Sequence, residues 1–201
     1  MNDDEQLEDA SGLWRTLLLA NALVFASSTC IMVLELVAAR LIAANLGASL
    51  YTWTSVIGVI LAGISIGNYL GGKIADRHPP MRALPLLFLA ASVLSFSVLW
   101  SAQYAETWWR PDYLSWPGWV LFNVTIIFIT PAVVLGTISP VVAKLALAAG
   151  KHTGSTIGNI YAWAAAGSIF GTFLTGFVLI DWIGTRAIVS GVAALLALTI
   201  R

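Results

Sequence analysis

The chain has 201 residues, of which 59% are hydrophobic and only 10% charged, with ten Lys and Arg balancing ten Asp and Glu. A soluble globular chain carries about 45–50% apolar and about 25% charged residues, so this one cannot clothe a water-facing surface and must face lipid. Zero net charge offers no field for phosphates, which excludes a nucleic-acid binder. The single cysteine, Cys30, excludes a disulfide framework and a multi-Cys metal site.

The leading MNDDEQLEDASGLWR carries Asp3, Asp4, Glu5, Glu8 and Asp9 and lacks the basic n-region of a cleavable signal peptide. Residues 1–13 read as a solvated, flexible cytoplasmic tail. A spanning helix needs about 20 mostly apolar residues, and the segments 14–44, 50–74, 83–101, 119–148, 156–181 and 184–200 qualify. The expected fold is all-α, with six transmembrane helices filling residues 14–201. Between the third and fourth spans runs a long loop, Ser101 to Gly118, with Tyr104, Trp108, Trp109, Tyr113 and Trp116. Such rings belong at the headgroup level. Pro131 and Pro140 break the backbone ladder of the fourth span, and Thr130, Thr137 and Ser139 stand ready to meet the freed carbonyls. Interrupted helices of this kind line transport sites or simply kink. Asp181 and Arg186 bracket the turn before the last span.

Lys and Arg are retained on the cytoplasmic side. Arg15, Lys73, Arg77, Arg82, Lys144, Lys151 and Arg201 fall on the N-terminal side, against Arg40, Arg110 and Arg186 opposite. This predicts a multi-pass protein of the cell's inner (plasma) membrane with both termini cytoplasmic.

A shift of 104 residues brings two pieces into register. Val37-x-Ala39-Arg40-Leu41 lies over Val141-x-Ala143-Lys144-Leu145, and Gly63-x3-Gly67-x2-Leu70-x-Gly72 over Gly167-x3-Gly171-x2-Leu174-x-Gly176. Spans one and four cross in opposite directions, so the pattern predicts a 3+3 repeat of inverted topology, about 14–101 and 119–200, as in half of a major-facilitator fold. Gly63, Gly67 and Gly71 share one helix face, and Gly167 and Gly171 a second, where backbones can approach closely.

Gly72-Lys-Ile-Ala-Asp76-Arg77 resembles the cytoplasmic loop motif of major facilitator transporters, whose charges brace helix ends as the protein rocks; His78-Pro79-Pro80-Met81-Arg82 follows here and displaces the motif's later Gly and Arg. A closer match lies in Leu34-Glu35-Leu-Val-Ala-Ala-Arg40-Leu, Gly47-Ala-Ser49-Leu-Tyr51-Thr-Trp53-Thr-Ser and Gly67-Asn68-Tyr-Leu-Gly-Gly-Lys-Ile-Ala-Asp76-Arg77. Gly136-Thr-Ile-Ser139-Pro140 and Gly158-Asn-Ile-Tyr161-Ala-Trp163-x3-Gly167-Ser-x2-Gly171-Thr continue it. These motifs resemble the membrane domain of the fused spermidine synthase-like family, in which a soluble aminopropyltransferase-like domain follows the helices. No Gly-rich nucleotide loop with an acidic ribose partner lies within these residues, so no enzymatic activity is expected.

Charge inside a span needs a partner or a wet cavity. Glu35 lies between Ile31-Met-Val-Leu34 and Leu36-Val-Ala-Ala39, and Arg40 is five residues on, poor spacing for a pair within one helix. Two readings stay open: a structural clasp to another span, or a substrate or proton site. In the second, Glu35 anchors a cation, Tyr51, Trp53, Tyr161 and Trp163 offer ring faces to an ammonium group, and Asn68 and Asn159 give polar neighbours. His78 and His152 lie in loops without metal spacing, so neither metal nor cofactor is expected. The expected partners are the lipid bilayer and a second copy or a hetero-complex subunit. Two functions follow: a half-size transporter for a small, polyamine-like solute acting as a dimer, or a non-transporting scaffold or anchor subunit.

Overall fold

Apolar runs of this length, with no water to satisfy the backbone, settle as helices because a helix satisfies its own N–H and C=O groups. The computed structural model describes residues 3–105, 108–150 and 152–199. Among them there is no strand, and the helices are α1 (Asp3–Leu46), α2 (Leu50–Arg77), α3 (Pro80–Ala105), α4 (Trp116–Ala149) and α5 (Thr153–Leu174). A π-helical turn (Thr175–Leu179) and a short α6 (Ile180–Trp182) prolong α5, and α7 (Thr185–Leu198) follows. Five of these stretches are long and apolar enough to cross a bilayer. The chain is an all-α, multi-pass membrane protein.

Several features differ from the sequence expectation. The backbone of residues 3–13 continues α1 without a break rather than forming a flexible tail, while the side chains of 1–11 lie outside the described residues, as do Lys151 and Arg201. The third span runs on to Ala105 and the fourth begins at Trp116, so the long loop is shorter than Ser101 to Gly118. Ser115 sets that start by accepting from the Gly118 N–H, and Pro117 occupies the first turn, where a missing donor costs nothing. Pro131 and Pro140 both lie inside a continuous α4, so the fourth span is not interrupted. The Thr137 hydroxyl donates to the Val134 carbonyl at 2.6 Å and not to Ile127 or Gly136, whose carbonyls the prolines leave without a helical donor. The last expected span is the shortest: α7 has 14 residues, about 21 Å at 1.5 Å each, against a hydrocarbon core of about 30 Å. Gly184 and the extended Ile183 separate it from α6.

Helices α1 and α4 form the centre. Val24, Val37, Ile138, Val141 and Val142 are fully buried there, with Phe88 of α3 and Val189 and Leu196 of α7 around them. A second cluster joins Ala38, Ala39 and Ile42 of α1 to Val56 and Ile60 of α2, Val98 of α3 and Val124 of α4. The main neighbours are α2 with α4, α1 with α5, α3 with α4 and α7, and α1 with α4 and α7. Exchanging α1 with α4, α2 with α5 and α3 with α7 maps this set onto itself.

The glycines make the closest of these contacts. A Cβ on Gly63 would lie 2.5 Å from the Ala132 Cβ, one on Gly67 would overlap the Val133 carbonyl oxygen, and one on Gly71 would lie 2.7 Å from the Thr137 Cα. Gly136 answers from α4, where a Cβ would lie 2.8 Å from the Ile64 Cα. Across the other seam a Cβ on Gly167 would overlap the Phe25 carbonyl oxygen, and one on Gly171 would lie 2.7 Å from that of Thr29. The 104-residue shift that pairs Gly63 with Gly167 and Gly67 with Gly171 also pairs their contacts: Ile129 falls on Phe25 and Val133 on Thr29. The offset read from sequence thus relates contacts as well as residues.

Gly67→Val should lower the unfolding midpoint in detergent, because neither backbone can retreat; overpacking of this kind costs about 1–3 kcal/mol. Gly158→Ala, where nothing lies within 4 Å of the added atom, should leave the midpoint unchanged or slightly raised. Equal midpoints for the two variants would show that the close seams do not hold the helices together.

Candidate functional site

Several polar groups inside the bundle bond to their own helix, as Ser27, Asn123, Thr137 and Thr175 do, and others cross to a neighbouring one. The Thr29 hydroxyl donates to the Gly167 carbonyl at 3.0 Å, reinforcing the glycine seam between α1 and α5. The Ser92 hydroxyl donates to the Ala193 carbonyl at 2.7 Å, tying α3 to α7. Asn159 donates its side-chain amide to the Asn21 side-chain oxygen at 3.0 Å. Each bond satisfies a group that lipid cannot.

The predicted site residues do not converge. Glu35 is half-buried and, among the described residues, has no hydrogen-bond or ion-pair partner. It shares a stripe of α1 with Ile31, Ala38, Ala39 and Ile42, at helical spacings of three, four and seven, and so flanks the second apolar cluster. Arg40 is exposed and likewise unpaired among the described residues, which agrees with the poor five-residue spacing. Trp163 meets the Phe25 ring edge-on at 6.0 Å, ten residues from Glu35 and so about 15 Å along the helix. Asn159 is spent on Asn21, farther still from Glu35. Asn68 and Tyr161 are exposed, as is Trp53 near the start of α2. Only Glu35 of this set is both within a span and half-buried.

Beside the stripe that carries Glu35 lies a small apolar pocket. Its volume of about 20 Å³ lies between Ile31 and Leu34 of α1, Ile60 of α2, Val98 of α3 and Phe128 and Pro131 of α4. That is room for roughly one water, and its lining is apolar. Two buried polar atoms elsewhere, the Ser95 hydroxyl and the Asn123 side-chain oxygen, have no partner; the Asn123 amide group is spent on the Trp119 carbonyl at 2.8 Å.

Gly72, Asp76 and Arg77, read as a loop motif, occupy the last turns of α2, and only His78 and Pro79 separate α2 from α3. Asp76 and Arg77 are exposed. Lys73 places its ammonium 4.3 Å from the centre of the Tyr69 ring one turn back, and the Arg110 guanidinium lies 5.8 Å from the Trp116 ring. Tyr69 and Trp116 thus offer their ring faces to cations of the chain itself. A residue that sequence reasoning passed over is Lys144, whose ammonium donates to the Ala75 carbonyl of α2. In the sequence it stands only as a charge on the N-terminal side; the signal is Pro79, four residues after Ala75. Asp181 and Arg186 are exposed at the turn before α7. Among the described residues no three His, Cys, Asp or Glu side chains come together.

Compared with protein-family models, with curated proteins and with solved structures, the chain matches none.

The Asn21–Asn159 bond can be measured by a double-mutant cycle with Asn21→Ala and Asn159→Ala, read by reversible unfolding in mixed micelles. The expected coupling is about 0.6 kcal/mol and under about 1.7 kcal/mol, the range of polar contacts between membrane helices. Zero coupling would assign Asn159 to lipid or a second chain instead.

Proposed function

We infer that this chain is half of a transporter, completed by a second copy, for a small cationic solute such as a polyamine. The observation that carries the reading is Glu35: a carboxylate within a span, half-buried and without a partner among the described residues. Such a group demands a cation, a proton or a wet cavity. The apolar pocket beside Ile31 and Leu34 has room for about one water, so we place the solute path between two copies of the chain, on the partly exposed side of Glu35.

The architecture lends support. Paired glycine seams at a constant 104-residue offset, and a set of neighbours unchanged when α1–α3 are exchanged with α4, α5 and α7, favour the 3+3 inverted repeat of a major-facilitator half. The resemblance to the membrane domain of the fused spermidine synthase-like family supplies the polyamine class. Exposed Lys73, Arg77 and Arg82 at the α2–α3 end favour that end, and with it both termini, on the cytoplasmic side of the inner membrane. We assign no enzymatic activity to these residues; an aminopropyltransferase role would need a catalytic domain from elsewhere.

A second reading, a membrane scaffold or anchor subunit of a larger complex, draws on Asn159 and Lys144. Both are consumed inside the subunit, as expected where polar groups serve only to hold helices together.

Glu35→Gln should abolish polyamine uptake into vesicles while leaving expression and the unfolding midpoint intact; unchanged uptake would remove Glu35 from the site. Native mass spectrometry of the complex extracted from its own membrane should give twice the 21.4 kDa of one chain. A hetero-complex in its place would favour the scaffold reading and name the partner.

A further inference from the structure

The end of α2 presents an unusual demand. An α-helix leaves its last carbonyls without donors, and here the deficit is deepened by Pro79, which has no N–H to offer Ala75 four residues back. Pro79 also drives the residue before it out of the helical region, and His78 is extended at φ −125° and ψ 145°. The His78 N–H still reaches the Ile74 carbonyl at 2.9 Å, but the carbonyl of Ala75, a residue only 5% exposed, is left to find a donor outside α2. Lys144 of α4 supplies it. Its charge also sits at the negative end of the helix dipole.

The pseudo-equivalent position shows that the proline creates the demand. Shifting by 104 residues turns Lys144 into Arg40, Ala75 into Leu179 and Pro79 into Ile183. Ile183 has an N–H, and it donates to the Leu179 carbonyl at 2.8 Å. Arg40 has nothing to cap and stands exposed.

In the half of the seam nearer Lys144, Gly63, Gly67 and Gly71 face Ala132, the Val133 carbonyl, Gly136 and Thr137, so backbone lies on backbone there; toward the start of α2, Val56 and Ile60 share an apolar cluster with Val124 and Phe128 of α4. The matching α1–α5 seam carries two cross-links, Thr29 to Gly167 and Asn159 to Asn21. Among the described residues, Lys144 to Ala75 is the polar cross-link of the α2–α4 seam. It lies at one end, on a long flexible stem and only half-buried.

We propose that Lys144 is a latch across the α2–α4 seam: its ammonium takes the place of the backbone donor that Pro79 removes, and the two helices shift against each other only when that contact opens. The device is independent of any transport role.

The test places spin labels at two exposed positions, Tyr69→Cys on α2 and Leu147→Cys on α4, in a Cys30→Ser chain reconstituted in lipid nanodiscs. Their distance distribution should be single and narrow, and should stay so with Lys144→Arg. Lys144→Met keeps the apolar stem but has no donor, and should broaden or split the distribution. Hydrogen exchange of residues 72–78 should accelerate roughly tenfold or more in Lys144→Met, the loss of one charge-assisted bond. Adding Pro79→Ala restores a backbone donor for Ala75. The double variant should regain slow exchange at the end of α2 while its distance distribution stays broad, because the helix end is repaired and the latch is not. An unchanged distribution in Lys144→Met would overturn the proposal. So would a distribution that Pro79→Ala narrows again, since Lys144 would then be a cap and nothing more.

Discussion

Lipid tails attract a leucine as well as another leucine does, so helices in a membrane are held by how closely their backbones can pack. That constraint governs this molecule. Each of the two tightest seams, α2 on α4 and α1 on α5, is possible only because glycine stands where any Cβ would strike a carbonyl or a Cα of the facing helix. Once the seams are fixed, α1 and α4 are held side by side at the centre, and α3 and α7 close around them. The few interhelical hydrogen bonds then fall into place beside the seams, on backbone carbonyls for the most part.

Much of this was legible in the chain. The spacing of Gly63, Gly67 and Gly71 gave a packing face, and the 104-residue offset predicted that Gly167 and Gly171 would make a matching one. Span existence followed from apolar length alone. Helix ends were less legible, because the signals that set them are local and weak. The Ser115 cap and Pro117 start α4 earlier than hydropathy suggests, and α3 extends through residues polar enough to look like loop. The prolines of α4 misled for a different reason. Pro131 and Pro140 remove donors, yet packing from both sides keeps the helix continuous, and propensity yields to tertiary context.

The candidate site was the least legible part. Glu35 could be singled out because a carboxylate in a span is costly wherever it points. Its companions could not, since composition does not say how far along two helices the residues sit. Trp163 and Asn159 lie on α5 at levels where α1 presents Phe25 and Asn21, well before Glu35. Lys144 escaped because the reason for its contact is a missing atom on another helix, the N–H of Pro79, and only the fold brings lysine and carbonyl together.

The two central helices are also long, and a bilayer must accommodate that. The apolar part of α1 has 35 residues and α4 has 34. At 1.5 Å per residue these are about 53 and 51 Å, against a hydrocarbon core of about 30 Å. A span of that length fits by tilting or by local thickening of the bilayer. Because α1 and α4 are packed side by side at the centre, a tilt of one carries the other with it, and the fit of the whole bundle follows the thickness of the membrane around it.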